Sequence, residues 1–329
     1  MRSSRLLRLL AATFAVALAI GPAEAAERRW PHDILREDFG YTEKSSSDVP
    51  LSELTQGCPR RDCIPSIDAP RFTAPGEKPE LHDEDLVLGL VRGGTARAYP
   101  VWVLDRHEIV NDVIAGEPVA VTWCPLCGSG IAFRRVLDGT PVELGVSGLL
   151  RESDLVFYDR RTRSLWQQVT GTAFVGPSRG KRLESISVAV TTWARWRAAH
   201  PGTTVLVTGD ARPSRNAYGD YATSQKILFP VTRTSRALPG KEVVWGIELE
   251  KGSVAVTDRR LGDGGSVAVD AGGVRLEVSR LADGTVRAVR ASDGREVVAH
   301  RMFWFAWYTF HPDTRVVDLE KKTPAPTAD

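Results

Sequence analysis

Short segments of alternating apolar and polar residues, separated by turn residues, dominate the chain after residue 85. Three pairs of these segments flank two-residue turns that are typical of β-hairpins. The turns are Gly93-Gly94, Ala115-Gly116 and Asp138-Gly139, and the flanking segments are 86–91 with 95–99, 108–114 with 118–123, and 131–137 with 140–146. Residues 192–200 have a helical pattern instead, which Pro201-Gly202 ends. The pattern predicts a mainly β fold with a few helices, of the α+β class.

A weak internal repeat runs through this pattern. Trp193, Trp196, His200 and Pro201 recur 111 residues later as Trp304, Trp307, His311 and Pro312. Upstream of these, the segment 87–90 matches 244–247 at a spacing of 157 residues, and Asp138-Gly139 matches Asp293-Gly294 at 155. The first copy would therefore carry about 44 additional residues after Gly139. We predict an internal duplication of a hairpin-rich unit, although hairpins also resemble one another by chance.

These patterns divide the chain into six segments. They are a signal peptide (1–26), an extended N-terminal arm (27–80), a first repeat with the Cys-x-x-Cys site and an insertion (81–205), a connector (206–242), a second repeat without the site (243–318) and a tail (319–329). The first segment has Arg2, Arg5 and Arg8 before the apolar run 9–20, and small residues at the expected cleavage point. The apolar run is too short for a membrane span. We therefore expect export by the signal peptide, as a soluble periplasmic or extracellular protein.

Charge narrows the class of partner. The chain has 43 Lys and Arg against 41 Asp and Glu, a formal net charge of +2, and the two signs are interspersed. A nucleic-acid-binding surface normally concentrates positive charge on one face or stripe. The sequence therefore argues against nucleic acid as a partner, and it identifies no substrate or partner protein.

The segment 122–130, Thr-Trp-Cys-Pro-Leu-Cys-Gly-Ser-Gly, carries the clearest chemistry. Cys124 and Cys127 place two soft sulfur ligands on one tight turn, as in zinc ribbons and iron–thiolate knuckles. Without a metal, the same thiols form a redox-capable pair. In an oxidising compartment the four cysteines can also form disulfides, Cys58–Cys63 among them.

A third ligand follows from the hairpin at Ala115-Gly116. With a two-residue turn, His107 lies opposite Cys124, and directly opposed residues have Cβ atoms about 4.5–5.5 Å apart. A shift of the turn by one residue would break this match. Cys124, Cys127 and His107 together predict a site for zinc with an open position, or for copper.

The polar run 107–112 and the inserted residues supply the other candidates for the site. Glu108 is a candidate general base or an orienting partner of a ligand, and Asn111 is a further catalytic candidate. The candidate pocket residues are Trp123, Ser147, Tyr158, Trp166 and Gln167. Taken alone these five are ordinary strand and turn residues. Their interest depends on where the insertion lies relative to the Cys-x-x-Cys turn.

Several motifs together resemble the bacterial domain-of-unknown-function family 3179. They are Ala98-Tyr99-Pro100, the segment 107–112 (His-Glu-Ile-Val-Asn-Asp), the segment 124–129 (Cys-Pro-Leu-Cys-Gly-Ser), and the segments 147–150, 155–159, 164–167 and 303–314. The resemblance spans nearly all of the mature chain and implies a largely exported protein without an agreed activity. The family usually has Gly where Cys58 and Cys63 stand, which implies that these two are a local addition, a disulfide closing a small loop. Cys124 and Cys127 are then left to act with something else.

Three functions remain open at this point. The first is binding of a soft metal ion, zinc or copper, with catalysis left open. The second is a dithiol–disulfide oxidoreductase, and the third is a non-catalytic cell-envelope binding protein in which Cys124–Cys127 is a structural disulfide. Thioredoxin-like enzymes place the first Cys at a helix N-terminus. Residues 128–136 indicate a turn into a strand instead, which weakens the second function.

Overall fold

The protein is mainly β, as the hydrophobic pattern predicts, with few and short helices. The structure is a computed structural model, and it describes residues 34–77, 81–209 and 217–319. The helices are a π-helix at Ile34–Phe39, a 3-10 helix at Leu51–Glu53, and α1 (Val101–Leu104), α2 (Trp193–Ala199), α3 (Asp258–Leu261) and α4 (Trp304–Phe310).

The strands follow the chain in this order. They are β1 (Leu54–Gln56), β2 (Arg71–Thr73), β3 (Leu86–Arg92), β4 (Thr95–Pro100), β5 (Ile109–Ile114), β6 (Glu117–Cys124), β7 (Ser129–Arg134), β8 (Val136–Leu137), β9 (Thr140–Pro141), β10 (Leu144–Arg151), β11 (Asp154–Asp159) and β12 (Leu165–Gln167). The remainder are β13 (Thr172–Val175), β14 (Glu184–Ile186), β15 (Ala189–Thr192), β16 (Thr204–Val207), β17 (Val243–Glu248), β18 (Ser253–Thr257), β19 (Ser266–Ala271), β20 (Val274–Arg280), β21 (Val286–Arg290), β22 (Glu296–Phe303) and β23 (Arg315–Val317).

The strands form three larger sheets. One has the order β1-β10-β11-β12-β13, and another has the order β15-β3-β4-β16-β2. The largest runs β19-β20-β21-β22-β17-β18-β23, and β7 joins β22 to β6, β5 and β14. Because β6 and β7 flank the Cys-x-x-Cys turn, that turn lies where strands from both parts of the chain meet.

The Ala115-Gly116 turn sets the register that leads to the cysteines. Both residues have positive φ, 49° and 80°, as a two-residue turn between twisted strands requires. The pairing of β5 with β6 follows the predicted register and ends at Ile109 and Thr122. The next residue back, Glu108, has φ 55°, so the strand does not continue to His107 in extended form.

The hairpin around Asp138-Gly139 is shorter than predicted. Only the two-residue strands β8 and β9 pair across it, because β7 and β10 belong to different sheets. Seven consecutive residues of β10, Leu144–Leu150, are buried, so this strand is covered on both faces. A strand covered in this way needs neighbours above and below, which the alternation of a simple hairpin does not predict.

Two parts of the structure share a topology. The strand order β15-β3-β4-β16 in the first part corresponds to β22-β17-β18-β23 in the second part. In each part the last strand is parallel to its neighbour. Helices α2 and α4 follow corresponding strands. Trp196 and Trp307 lie with ring centroids 4.1 and 3.8 Å from His200 and His311. These shared features agree with the repeat seen in the sequence, and the duplication itself stays a prediction.

The described part of the N-terminal arm packs along the sheets. Its strands β1 and β2 pair with β10 and β16, and Cys58 and Cys63 form a disulfide with Cα atoms 6.3 Å apart. A disulfide is compatible with an exported protein. The predicted signal peptide, 1–26, lies outside the described residues. Among the residues described, no helix combines the length and the apolar character that crossing a bilayer requires.

Gly246 on β17 lets the ring of Trp307 lie directly against the strand. A Cβ at Gly246 would overlap that ring, which is 1% exposed. We expect Gly246→Ala to lower the free energy of unfolding by about 1–3 kcal/mol, because a packed core resists added volume. In the described part of the chain no atom lies within 4 Å of a Cβ placed at Gly202, so Gly202→Ala is the control, with an expected change below about 0.5 kcal/mol. Urea denaturation measures both, and equal stabilities of the two variants would contradict the packing argument.

Candidate metal centre

The turn between β6 and β7 carries both free cysteines. Cys124 ends β6 and pairs with Ser129 at the start of β7. Gly128 has φ 58°, and a Cβ there would lie 2.8 Å from the ring of Phe303. Glycine is therefore required by backbone conformation and by space. Cys124 and Cys127 are buried and are not bonded to each other.

Distant residues hold the carbonyl groups of this turn. The amide of Phe303 donates to Cys127 O at 2.8 Å, and Arg301 Nη1 donates to Gly128 O at 2.6 Å. The hydroxyl of Tyr221 donates to Leu126 O at 3.1 Å. The turn is thus fixed from β22 and from the connector, which limits how far the two sulfur atoms can move.

A second turn, between β10 and β11, approaches the sulfurs from the inserted segment. Glu152 and Ser153 have φ 55° and 61°, a conformation that non-glycine residues rarely adopt. The Glu152 carboxylate accepts hydrogen bonds from Thr232 N, Thr232 Oγ1 and Thr309 Oγ1, at 2.6, 2.6 and 3.0 Å. These bonds hold the strained turn so that Ser153 O lies 3.2 Å from Cys127 Sγ.

Asp154 follows this turn and completes a three-residue cluster. A carboxylate oxygen of Asp154 and the sulfurs of Cys124 and Cys127 all lie within 4.8 Å of one another. Asp154 is fully buried, and its Oδ2 accepts from Gln167 Nε2 at 2.6 Å and Val169 N at 3.0 Å. Among the described residues no hydrogen bond reaches Oδ1, although the Cys127 thiol and the Leu155 amide lie close enough to lower the pKa of the carboxyl. Two thiols and a carboxylate with a free oxygen are a donor set that can hold zinc.

Burial dominates the electrostatics of this region. It raises the pKa of Asp154 to about 6. Burial raises the pKa of Glu108 to about 8, with the charges of Asp154 and Asp105 adding to the shift. Burial, together with the neighbouring Cys124, also raises the pKa of the Cys127 thiol well above its usual value. No basic side chain is among the causes named for these three shifts, so a bound cation would add an opposite charge to the cluster.

His107 lies apart from this cluster. Its Nδ1 is 2.8 Å from Pro65 O, and the group of ligand atoms around the sulfurs contains Asp154 in place of His107. The predicted opposition of His107 and Cys124 extrapolates a ladder that ends two residues earlier, where Glu108 turns the backbone. The sequence did not identify Asp154 as a ligand, because it lies 27 residues beyond Cys127 and no local spacing connects the two.

Asn111 joins strands together. Its Nδ2 donates to Leu144 O at 2.8 Å and to Asp68 Oδ1 at 2.7 Å, and its Oδ1 accepts from Leu144 N at 2.9 Å. The amide thereby substitutes for a main-chain partner of Leu144 and ties β5 to the start of β10. Because β10 leads to the turn before Asp154, Asn111 helps to position the cluster.

A cavity of about 160 Å³ adjoins the cysteine turn. Its apolar wall comprises Val146, Leu149 and Leu150 of β10, Leu126 of the cysteine turn and Leu155 of β11. A register shift in β10 between Val146 and Leu149 widens the strand at this point. Residues from 57–64 and 217–229 close the cavity, and its lining includes Glu108 and Tyr218 as polar side chains. Burial raises the pKa of Tyr218, and the charges of Glu108 and Cys124 add to the shift, so the phenol lies near the two groups.

The five candidate pocket residues have other partners. Trp123 donates to Asp105, Trp166 to Asp159, Tyr158 to Asp62, Ser147 to the carbonyl of Val156, and Gln167 to Asp154. None of the five is among the residues that line the 160 Å³ cavity. Gln167 is the one whose side chain contacts the cluster.

Fold and site together define a mainly β protein with a buried thiol–carboxylate centre. The chain belongs to the family of proteins of unknown function DUF3179, whose sequence pattern matches residues 61–299. The match confirms the resemblance drawn from the motifs and includes Cys124, Cys127, Asp154 and Glu108. No curated protein and no solved structure matches the chain.

The raised pKa of Asp154 predicts a pH-dependent stability in metal-free protein. The folded state keeps a proton that the unfolded chain loses near pH 4, so the contribution of Asp154 is present below that pH and is lost as pH rises through about 6. Between about pH 4 and pH 8 the loss is about 2 kcal/mol. Asp154→Asn should lack this loss of stability, because an amide does not titrate. It should still fold, since the amide oxygen can accept both hydrogen bonds that Oδ2 accepts. Urea denaturation of chelator-treated wild type and variant, compared at each pH, measures the difference, and parallel curves would refute the assignment.

Proposed function

We propose that this exported protein binds one metal ion at Cys124, Cys127 and Asp154. The observation that carries the proposal is the unpartnered Oδ1 of a fully buried carboxylate within reach of two buried sulfurs. Buried polar atoms are almost always hydrogen-bonded, and buried charges are paired or coordinate metals. A metal ion would satisfy the carboxylate and both thiols at once.

The donor set favours zinc over copper. Thiolates alone suit copper(I), whereas zinc accepts sulfur and carboxylate oxygen together. Three protein ligands also leave one tetrahedral position for water or another ligand, as in catalytic zinc sites. Glu108, whose pKa is raised in part by the charge of Asp154, would be a candidate base for a water bound there, and His107 is an alternative ligand if its ring leaves Pro65 O.

A dithiol–disulfide function has weaker support. Reactive thiols in oxidoreductases have a lowered pKa, because a helix N-terminus or a cation stabilises the thiolate. Here Cys127 follows a strand, and burial raises the pKa of its thiol. A structural disulfide between Cys124 and Cys127 also has less support, since the two thiols are free in the structure.

Metal content and thiol reactivity of the exported mature protein test the proposal. We expect about one zinc ion per chain, and Cys124 and Cys127 to react with a thiol reagent only after chelation, because a coordinated thiolate is shielded. Cys124→Ser and Asp154→Asn should each weaken the affinity for zinc by more than about tenfold. Loss of a residue that only orients a ligand already costs roughly that much. Elemental analysis and competition with a chromogenic chelator provide these measurements.

Two control variants sharpen this test. The double variant Cys58→Ser/Cys63→Ser removes the other cysteines and should keep the metal. His107→Gln should also keep the metal. Loss of the metal in His107→Gln but not in Asp154→Asn would identify His107, instead of Asp154, as the third ligand. A Cys124–Cys127 disulfide that cycles readily would favour the oxidoreductase, and an inert disulfide without metal would overturn both functions.

A further inference from the structure

The cavity beside the cysteine turn has the size and lining of a small-molecule site. Its volume is about 160 Å³, and a protein cavity of roughly 150 Å³ lined by Leu, Ile and Phe can hold benzene. Aliphatic side chains from β10, β11 and the cysteine turn form its wall, and Phe229 and Tyr218 add aromatic rings. An apolar wall with very few polar groups is typical of sites that bind small ligands.

Glu108 is the unusual member of this lining. The residue is only 8% exposed, and among the described residues its carboxyl has neither a hydrogen bond nor an ion pair. Its backbone is held with φ 55°, and its carbonyl accepts from Trp123 N at 2.8 Å. Residues with strained backbone concentrate at functional sites. The fold therefore maintains an acidic group at the wall of an otherwise apolar cavity.

We propose that this cavity binds a benzene-sized apolar molecule carrying one hydroxyl group, with the hydroxyl bonded to Glu108. A hydroxyl both donates and accepts hydrogen bonds, so it matches the carboxyl whether that group is ionised or protonated. The apolar body occupies the space between β10 and Phe229. The phenol of Tyr218, near Glu108, is a second hydrogen-bonding group for the same hydroxyl.

The ligand would lie next to the proposed metal. Leu126 precedes Cys127, Leu155 follows Asp154, and both leucines line the cavity, so the cavity and the cluster are built from adjacent residues of the same two segments. The inference goes beyond metal binding and depends on the cavity and Glu108 alone. A result that refutes ligand binding therefore leaves the metal proposal standing, and the reverse also holds.

Benzyl alcohol and toluene form the test pair, because they share the ring and differ by the hydroxyl. Calorimetric titration of the full mature protein should show tighter binding of benzyl alcohol. Glu108→Leu should weaken the affinity for benzyl alcohol several-fold, up to about tenfold, and leave the affinity for toluene nearly unchanged, since the hydrogen bond to the hydroxyl is lost. Glu108→Gln, which keeps a hydrogen-bonding group, should restore part of the affinity. Both variants are expected to keep the metal content of the wild type.

A blocking variant tests the location. Leu228 lines the cavity and is 45% exposed, so Leu228→Trp should fill the entrance, leave the fold intact and abolish binding of both compounds. Leu281 is 40% exposed and lies outside the cavity, so Leu281→Trp is the matched control and should bind like the wild type. Equal affinities of the wild type for the two compounds, unchanged benzyl alcohol affinity in Glu108→Leu, or no binding of either compound would overturn the inference.

Discussion

The structure depends on burying acidic groups without an opposite charge beside them. Asp154, Glu108 and Cys127 are each buried, and each has its pKa raised chiefly by loss of solvent. Such an arrangement lowers stability when the groups ionise, so a protein keeps it only where the charge has a use. Under the proposed function, a metal ion would neutralise these groups and make the same cluster a binding site.

The rest of the fold serves to hold this cluster together. Strand β22 fixes the cysteine turn through Phe303 and Arg301, and the connector reaches it through Tyr221. Glu152 anchors the opposite turn to Thr232 and to Thr309. Sheets from both halves of the chain thus converge on two tight turns, which explains how strained residues there are maintained.

Local patterns in the sequence were good predictors of local structure. The Ala115-Gly116 turn predicted the register of its hairpin correctly, because a two-residue loop leaves the pairing little freedom. The Asp138-Gly139 hairpin was predicted too long, because burial on both faces of β10 separates its strands into different sheets. The family was recognised from motifs spread over most of the chain.

The sequence by itself determined the mainly β class, the main hairpins and the family, and it marked the Cys124–Cys127 turn as the candidate site, because all of these depend on residue types at short spacing. Only the tertiary structure brought Asp154 to those sulfurs and turned Glu108 toward an apolar cavity. The physical reason is that the two turns that meet at the site belong to different sheets. Their approach is decided by packing between distant segments, and hydrophobic periodicity does not record it.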